Sequence, residues 1–113
     1  MEKFFKRLPK RAEYYVVIYD VFSRTDISPR WGSGADWRRA RIARILLEVG
    51  VRTQKSVFEV NISPRNLTKL LETIRSLIEE ELDKVYIYPI ESKVRKSVKR
   101  LGYVSPILKN IFI

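Results

Sequence analysis

The stretch Val51-Arg52-Thr53-Gln54-Lys55-Ser56-Val57-Phe58-Glu59-Val60-Asn61-Ile62-Ser63-Pro64 decides the fold. Residues 51–62 read as extended, either as one strand or split into two short ones. From Val57 on, Phe58, Val60 and Ile62 alternate onto one face, the period of a half-buried strand. The pattern then changes abruptly. Ser63 is a helix-capping residue and Pro64 suits the first helical position, where its missing N–H is no loss. Leu67, Leu70, Leu71, Ile74, Leu77, Ile78 and Leu82 follow as the apolar stripe of a helix.

Working outward, residues 84–90 (KVYIYPI) form a further strand, and Pro89 marks it as ending or lying at an edge. On the other side, Asp36 is a plausible N-cap for a helix running to about Val49, with Gly50 beyond its end. There Trp37, Ala40, Ala43, Leu46 and Leu47 recur at helical spacing, while Arg38, Arg41, Arg44 and Glu48 share the opposite face. Residues 14–21 (YYVVIYDV) are β-branched and aromatic until Asp20, which predicts a central strand buried on both faces. Residues 22–35 carry Ser, Pro and Gly without a period and form a long loop. The resulting order is the α+β, ferredoxin-like β-α-β-β-α-β arrangement, an antiparallel sheet with two helices on one face. One domain is expected, with a basic extension at 1–13, a core at 14–91 and a C-terminal segment at 92–113.

Composition narrows the chemistry. The 113 residues include no Cys and no His, which excludes zinc sites, thiol nucleophiles and His-dependent acid–base schemes. Carboxylates, hydroxyls, Lys, Arg, Tyr or a bound hard cation are what remain. No apolar run is long enough to span a bilayer, and the N-terminus lacks the apolar core of a secretory signal, so no membrane role and a cytoplasmic location are expected.

The net charge of +10 is unevenly placed. Residues 1–62 carry 13 basic against 7 acidic side chains, residues 63–83 carry 3 against 5, and residues 84–113 carry 7 against 1. Four arginines fall within residues 38–44. That density favours contact with phosphates over a merely solvated face. Nucleic acid, as duplex DNA or RNA, is the expected partner.

Asp20 ends an apolar strand, where an ionised carboxylate is costly to bury unpaired. Gly50 to Glu59 (GVRTQKSVFE) places polar side chains in a sheet strand. Together with Tyr19-Asp20-Val21, the Arg-rich first helix, the Leu-rich second helix and VYIYPI at 85–90, this segment resembles the CRISPR-associated protein 2 family over roughly residues 14–90. The resemblance implies a symmetric homodimer whose strand-end aspartates approach across the two-fold axis and share one Mg²⁺. Asp20 is then both metal ligand and catalytic residue of an endonuclease, and Tyr19, Arg52 and Phe58 match other positions linked to activity. Arg38, Arg39, Arg41 and Arg44, with Arg24 and Arg30 from the loop, are the candidate nucleic-acid contacts. The implied pathway is spacer acquisition in antiviral defence, bridging the CRISPR integrase.

Plainer readings stand beside these. Phe58 alternates with core residues, a strand-end Asp is commonly a cap, and some family members act as structural bridges without cleaving. A ribonuclease toxin or an RNA-binding module shares the fold. Two departures from the family pattern are the extension 1–13 and the long loop after Asp20. The apolar residues 107–113 would be an aggregation hazard unpaired, so the C-terminal segment is expected to add to the partner subunit's sheet.

Overall fold

The computed structural model describes residues 14–23 and 34–107. The loop arginines Arg24 and Arg30, the extension 1–13 and the last residues 108–113 lie outside the described residues. Four strands, β1 (Tyr14–Asp20), β2 (Gly50–Gln54), β3 (Val57–Asn61) and β4 (Lys84–Ile90), alternate with helices α1 (Ala35–Leu47), α2 (Pro64–Leu77) and the single-turn α3 (Ser92–Arg95). The sheet order is β2-β3-β1-β4 and each neighbouring pair is antiparallel. This is the ferredoxin-like order.

Residues 50–61 do split in two, as a hairpin. Its register slips between Arg52 and Gln54, so β2 carries a bulge just before the turn. Gly50 makes the start of β2 feasible, because a Cβ there would collide with the carbonyl oxygen of Glu59. The Ser63 hydroxyl accepts from the Asn66 N–H at 3.2 Å, and Pro64 opens α2 as expected. α2 nevertheless stops at Leu77, short of Leu82, because Ile78 turns extended and the Glu79 N–H is taken by the Asp83 carboxylate at 2.8 Å. Pro89 lies inside β4, an edge strand with one row of backbone groups unpaired by the sheet.

The core lies on one side of the sheet. Tyr15, Val17, Tyr19 and Val21 of the β1 segment meet Phe58 and Val60 of β3, Ile42, Ala43 and Leu46 of α1, and Leu67, Leu70, Leu71 and Ile74 of α2. β1 is therefore buried on one face within the chain, against the expectation of two, because α1 and α2 both pack on the same side. On that open face Ile18, Tyr86 and Tyr88 stand exposed, and Val16 is half-buried.

α1 departs from expectation most. Its N-cap is Gly34 with no side-chain cap, and Asp36 sits in the first turn, paired with Arg39 at 2.5 Å. The helix is also rotated about its axis: Arg38, Ile42, Ala43 and Leu46 face inward, while Trp37 and Leu47 face solvent.

Beyond β4, residues 92–101 run back over the open face at the β3 side. Arg95 lies 4.1 Å from the centre of the Tyr14 ring, and Arg100 makes two bonds to Glu59, at 2.8 and 2.6 Å. No strand is formed by residues 92–107 within the chain.

Candidate nucleic-acid interface and strand-end site

Alternation along β1 sends Tyr19 into the core and Asp20 to the opposite, open face. There Asp20 is exposed, directly across the antiparallel ladder from Lys84. No hydrogen bond or ion pair holds its carboxylate among the described residues. The expectation of a carboxylate on the buried side thus gives way to one facing outward from the end of the central strand.

Tyr19, Arg52 and Phe58 do come together, on the helix side. The Tyr19 and Phe58 rings stack at 6.1 Å with 27° between their planes. The Arg52 guanidinium lies 5.4 Å from the Phe58 ring, and its Nη2 donates to the Tyr19 hydroxyl at 3.4 Å. Arg52 also closes the hairpin, donating through Nε and Nη2 to the Lys55 carbonyl at 2.9 and 2.5 Å. Phe58 is fully enclosed. The cluster braces the β1–β3 ladder next to Asp20 and does not share its face.

Behind Asp20 the chain is held by a clasp that the sequence reading missed. Asp83, whose side chain is 0% exposed, accepts from Arg38 Nε at 2.8 Å and Nη2 at 3.3 Å, and from the backbone N–H groups of Phe22 and Glu79 at 2.9 and 2.8 Å. Arg38 Nη2 donates as well to the Phe22 carbonyl at 3.1 Å, and Arg39 Nη1 to the Val21 carbonyl at 3.1 Å. The two residues after Asp20 are thereby tied to α1 and to the start of β4. Arg38 is accordingly corrected from the solvent face to the interior, where its charge is matched by Asp83. The available signal was the spacing of Arg38, Ile42 and Leu46, which places them on one helical stripe.

The remaining α1 arginines differ in availability. Arg39 is half-buried and engaged by Asp36 and Val21. Arg41 is half-buried, with its guanidinium 5.8 Å from the centre of the Trp37 ring, and Arg44 is exposed. The guanidinium pKa of Arg100 is raised from its ordinary value, first by its hydrogen bonds to Glu59, with burial opposing and the Glu59 charge assisting. No group of three or more carboxylates clusters as a metal site among the described residues. No helix among them is long and apolar enough to cross a membrane.

Fold and site define a basic ferredoxin-like domain with an exposed carboxylate at the end of its central strand. The family model described as "CRISPR associated protein Cas2" matches residues 13–98. A CRISPR-associated endoribonuclease Cas2 of Moorella thermoacetica is 26% identical over 79% of this chain and 85% of its own length. A CRISPR-associated endonuclease Cas2 of Halalkalibacterium halodurans is 33% identical over 61% of this chain and 72% of its own. The crystal structure of Streptococcus pyogenes Cas2 superposes with a TM-score of 0.64 at 26% identity, covering 79% of this chain and 99% of that one. The chain belongs to the CRISPR-associated protein 2 family.

Proposed function

We propose that the chain is a homodimeric component of CRISPR adaptation that binds nucleic acid, bridges the CRISPR integrase and supports Mg²⁺-dependent phosphodiester cleavage at Asp20. The observation that carries this reading is the position of Asp20, an exposed carboxylate at the margin of an open apolar sheet face. An apolar face of that kind is suited to a second copy, and a two-fold axis across it brings the two Asp20 side chains toward each other. The C-terminal segment then adds to the partner's sheet, for which the outer edge of β4 is available.

Asp20 fits a hard cation as half of a site. No group of three carboxylates forms around Asp20 among the described residues, so further oxygens would have to come from the second copy, water or phosphate. When bound, Mg²⁺ polarises a phosphoryl oxygen and lowers the pKa of a coordinated water. The protein's own part is positional. Asp20 presents its oxygens, the Tyr19–Phe58–Arg52 stack fixes the ladder beside it, and the Arg38–Asp83 clasp fixes the chain beyond it. Arg41 and Arg44, with the loop arginines Arg24 and Arg30, hold the phosphate backbone. The names of the relatives support nuclease activity, on RNA or on DNA.

The test is Asp20→Ala in a purified cleavage assay on RNA and on duplex DNA, with and without Mg²⁺. Cleavage is expected to disappear while duplex binding persists; cleavage that survives unchanged refutes the role of Asp20. A second reading, a scaffold that binds without cleaving, is favoured by the lack of a three-carboxylate cluster among the described residues and by the absence of His. It requires wild-type protein with no Mg²⁺-dependent cleavage and undiminished, salt-sensitive duplex binding.

A further inference from the structure

We infer that Trp37 is a stacking platform for an unpaired nucleobase, so that α1 engages nucleic acid at a single-stranded end as well as through its phosphates. The inference rests on the nucleic-acid binding proposed above and names the form of strand recognised. It begins from the rotation of α1. Because Arg38, Ile42 and Leu46 face inward, Trp37 is left 41% exposed on the opposite side. Burying an indole is among the larger apolar gains open to a small domain. Trp37 instead stands partly in water, on the helix side it shares with Arg41 and Arg44.

The surroundings say which occupant. At about 100° per residue, Trp37, Arg41 and Arg44 fall within roughly 60° of one another, along about 10 Å of helix. The Arg41 guanidinium lies 5.8 Å from the ring centre of the partly exposed Trp37, so a cation sits over one face of the indole. Exposed Arg44 continues the stripe. An aromatic plane interleaved with guanidinium groups, on a chain of net charge +10, is complementary to a polyanion that carries flat bases. A base inside a duplex has both faces covered by its neighbours, and the last pair of a blunt duplex bares one face only; a base in a single-stranded end is open on both. The stripe therefore reads a strand end.

The experiment uses the full chain carrying Trp31→Phe, which leaves Trp37 as its one indole. The probes are a DNA duplex with single-stranded ends and the same duplex made blunt, at one fixed salt concentration. The expected result is markedly stronger quenching of Trp37 fluorescence by the first probe than by the second. Trp37→Ala should weaken binding of the open-ended duplex by about tenfold, the scale of one base–aromatic stack. Blunt binding should be unchanged, and Trp37→Phe should recover most of the loss. Equal loss on both probes, no loss on either, or a changed oligomeric state in Trp37→Ala overturns the inference while leaving nucleic-acid binding intact. Failure of the wild type to bind either probe overturns the proposed binding itself, and the inference with it. Quenching in the Trp31→Phe chain and the Trp37→Phe variant decide the matter should Trp37→Ala fold poorly.

Discussion

Replacing Asp83 by Asn removes one charge and almost no volume, which makes it the sharpest probe of how this fold is held. The Arg38 side chain is 8% exposed and the Asp83 side chain 0%, so the pair has little water to fall back on. Breaking a buried pair from one side costs about 3–5 kcal/mol, since the other charge is left uncompensated. Asn keeps an oxygen for one of the backbone donors, Phe22 N–H or Glu79 N–H, so the low end, about 3 kcal/mol, is expected. A domain of this size has about 5–15 kcal/mol in total. The loss corresponds to a fall in melting temperature of roughly 12 °C. The assay is urea unfolding followed by far-UV circular dichroism, at one protein concentration because pairing of copies contributes. Arg38→Met combined with Asp83→Asn should be less destabilised than Asp83→Asn alone, since no orphaned charge remains. A loss below about 1 kcal/mol, or simple additivity of the two substitutions, would refute the reasoning from charge burial.

Two other perturbations test neighbouring features. Gly50→Ala drives a methyl group against the Glu59 carbonyl and to 2.9 Å from Val60 Cγ2, so a loss of about 1–3 kcal/mol is expected in the same urea assay; a neutral result would mean the β2–β3 approach is looser than described. Glu59→Gln removes the charge and one of the two acceptors facing Arg100 and should cost roughly 1 kcal/mol while speeding amide hydrogen exchange in residues 96–105. Exchange that stays slow would show the segment to be held by other contacts. Because the Arg100 pKa is raised on folding, its contribution is fully present below the ordinary guanidinium value and is lost only as the pH rises through the raised one. From neutral to moderately alkaline pH, deprotonation of Arg100 should therefore leave the protection of this segment unaltered.

The strand and helix order was legible because each element carried an uninterrupted local signal. Phe58 and Val60 alternate, Ser63-Pro64 opens α2, and Leu67, Leu70, Leu71 and Ile74 form its buried face, all as read. What could not be read were choices made by partners distant in sequence. Whether Val16 and Ile18 are covered depends on a layer above the sheet, not on their own hydrophobicity. Asp20 looked like a residue at the buried side because the strand around it is apolar; the pleat decides its direction, and alternation from Tyr19 sends it outward. The end of α2 at Leu77 likewise depends on Asp83, which captures the Glu79 N–H from beyond the apolar stripe.

α1 shows how one such distant partner reassigns several roles at once. By sequence, a large apolar residue such as Trp37 is expected to face the core and an arginine such as Arg38 is not. Asp83 reverses that ordering. It offers a fully buried carboxylate to the Arg38 guanidinium, which also bonds the Phe22 carbonyl, so the inward arginine is satisfied where an inward tryptophan would leave Asp83 without a counter-charge. Rotation of the helix to meet Asp83 puts Trp37 at the surface, on the side where Arg41 and Arg44 also lie. The same bonds hold Phe22, two residues beyond Asp20. A single buried charge pair thus sets both which α1 side chains face solvent and how firmly the chain beyond the strand-end carboxylate is held.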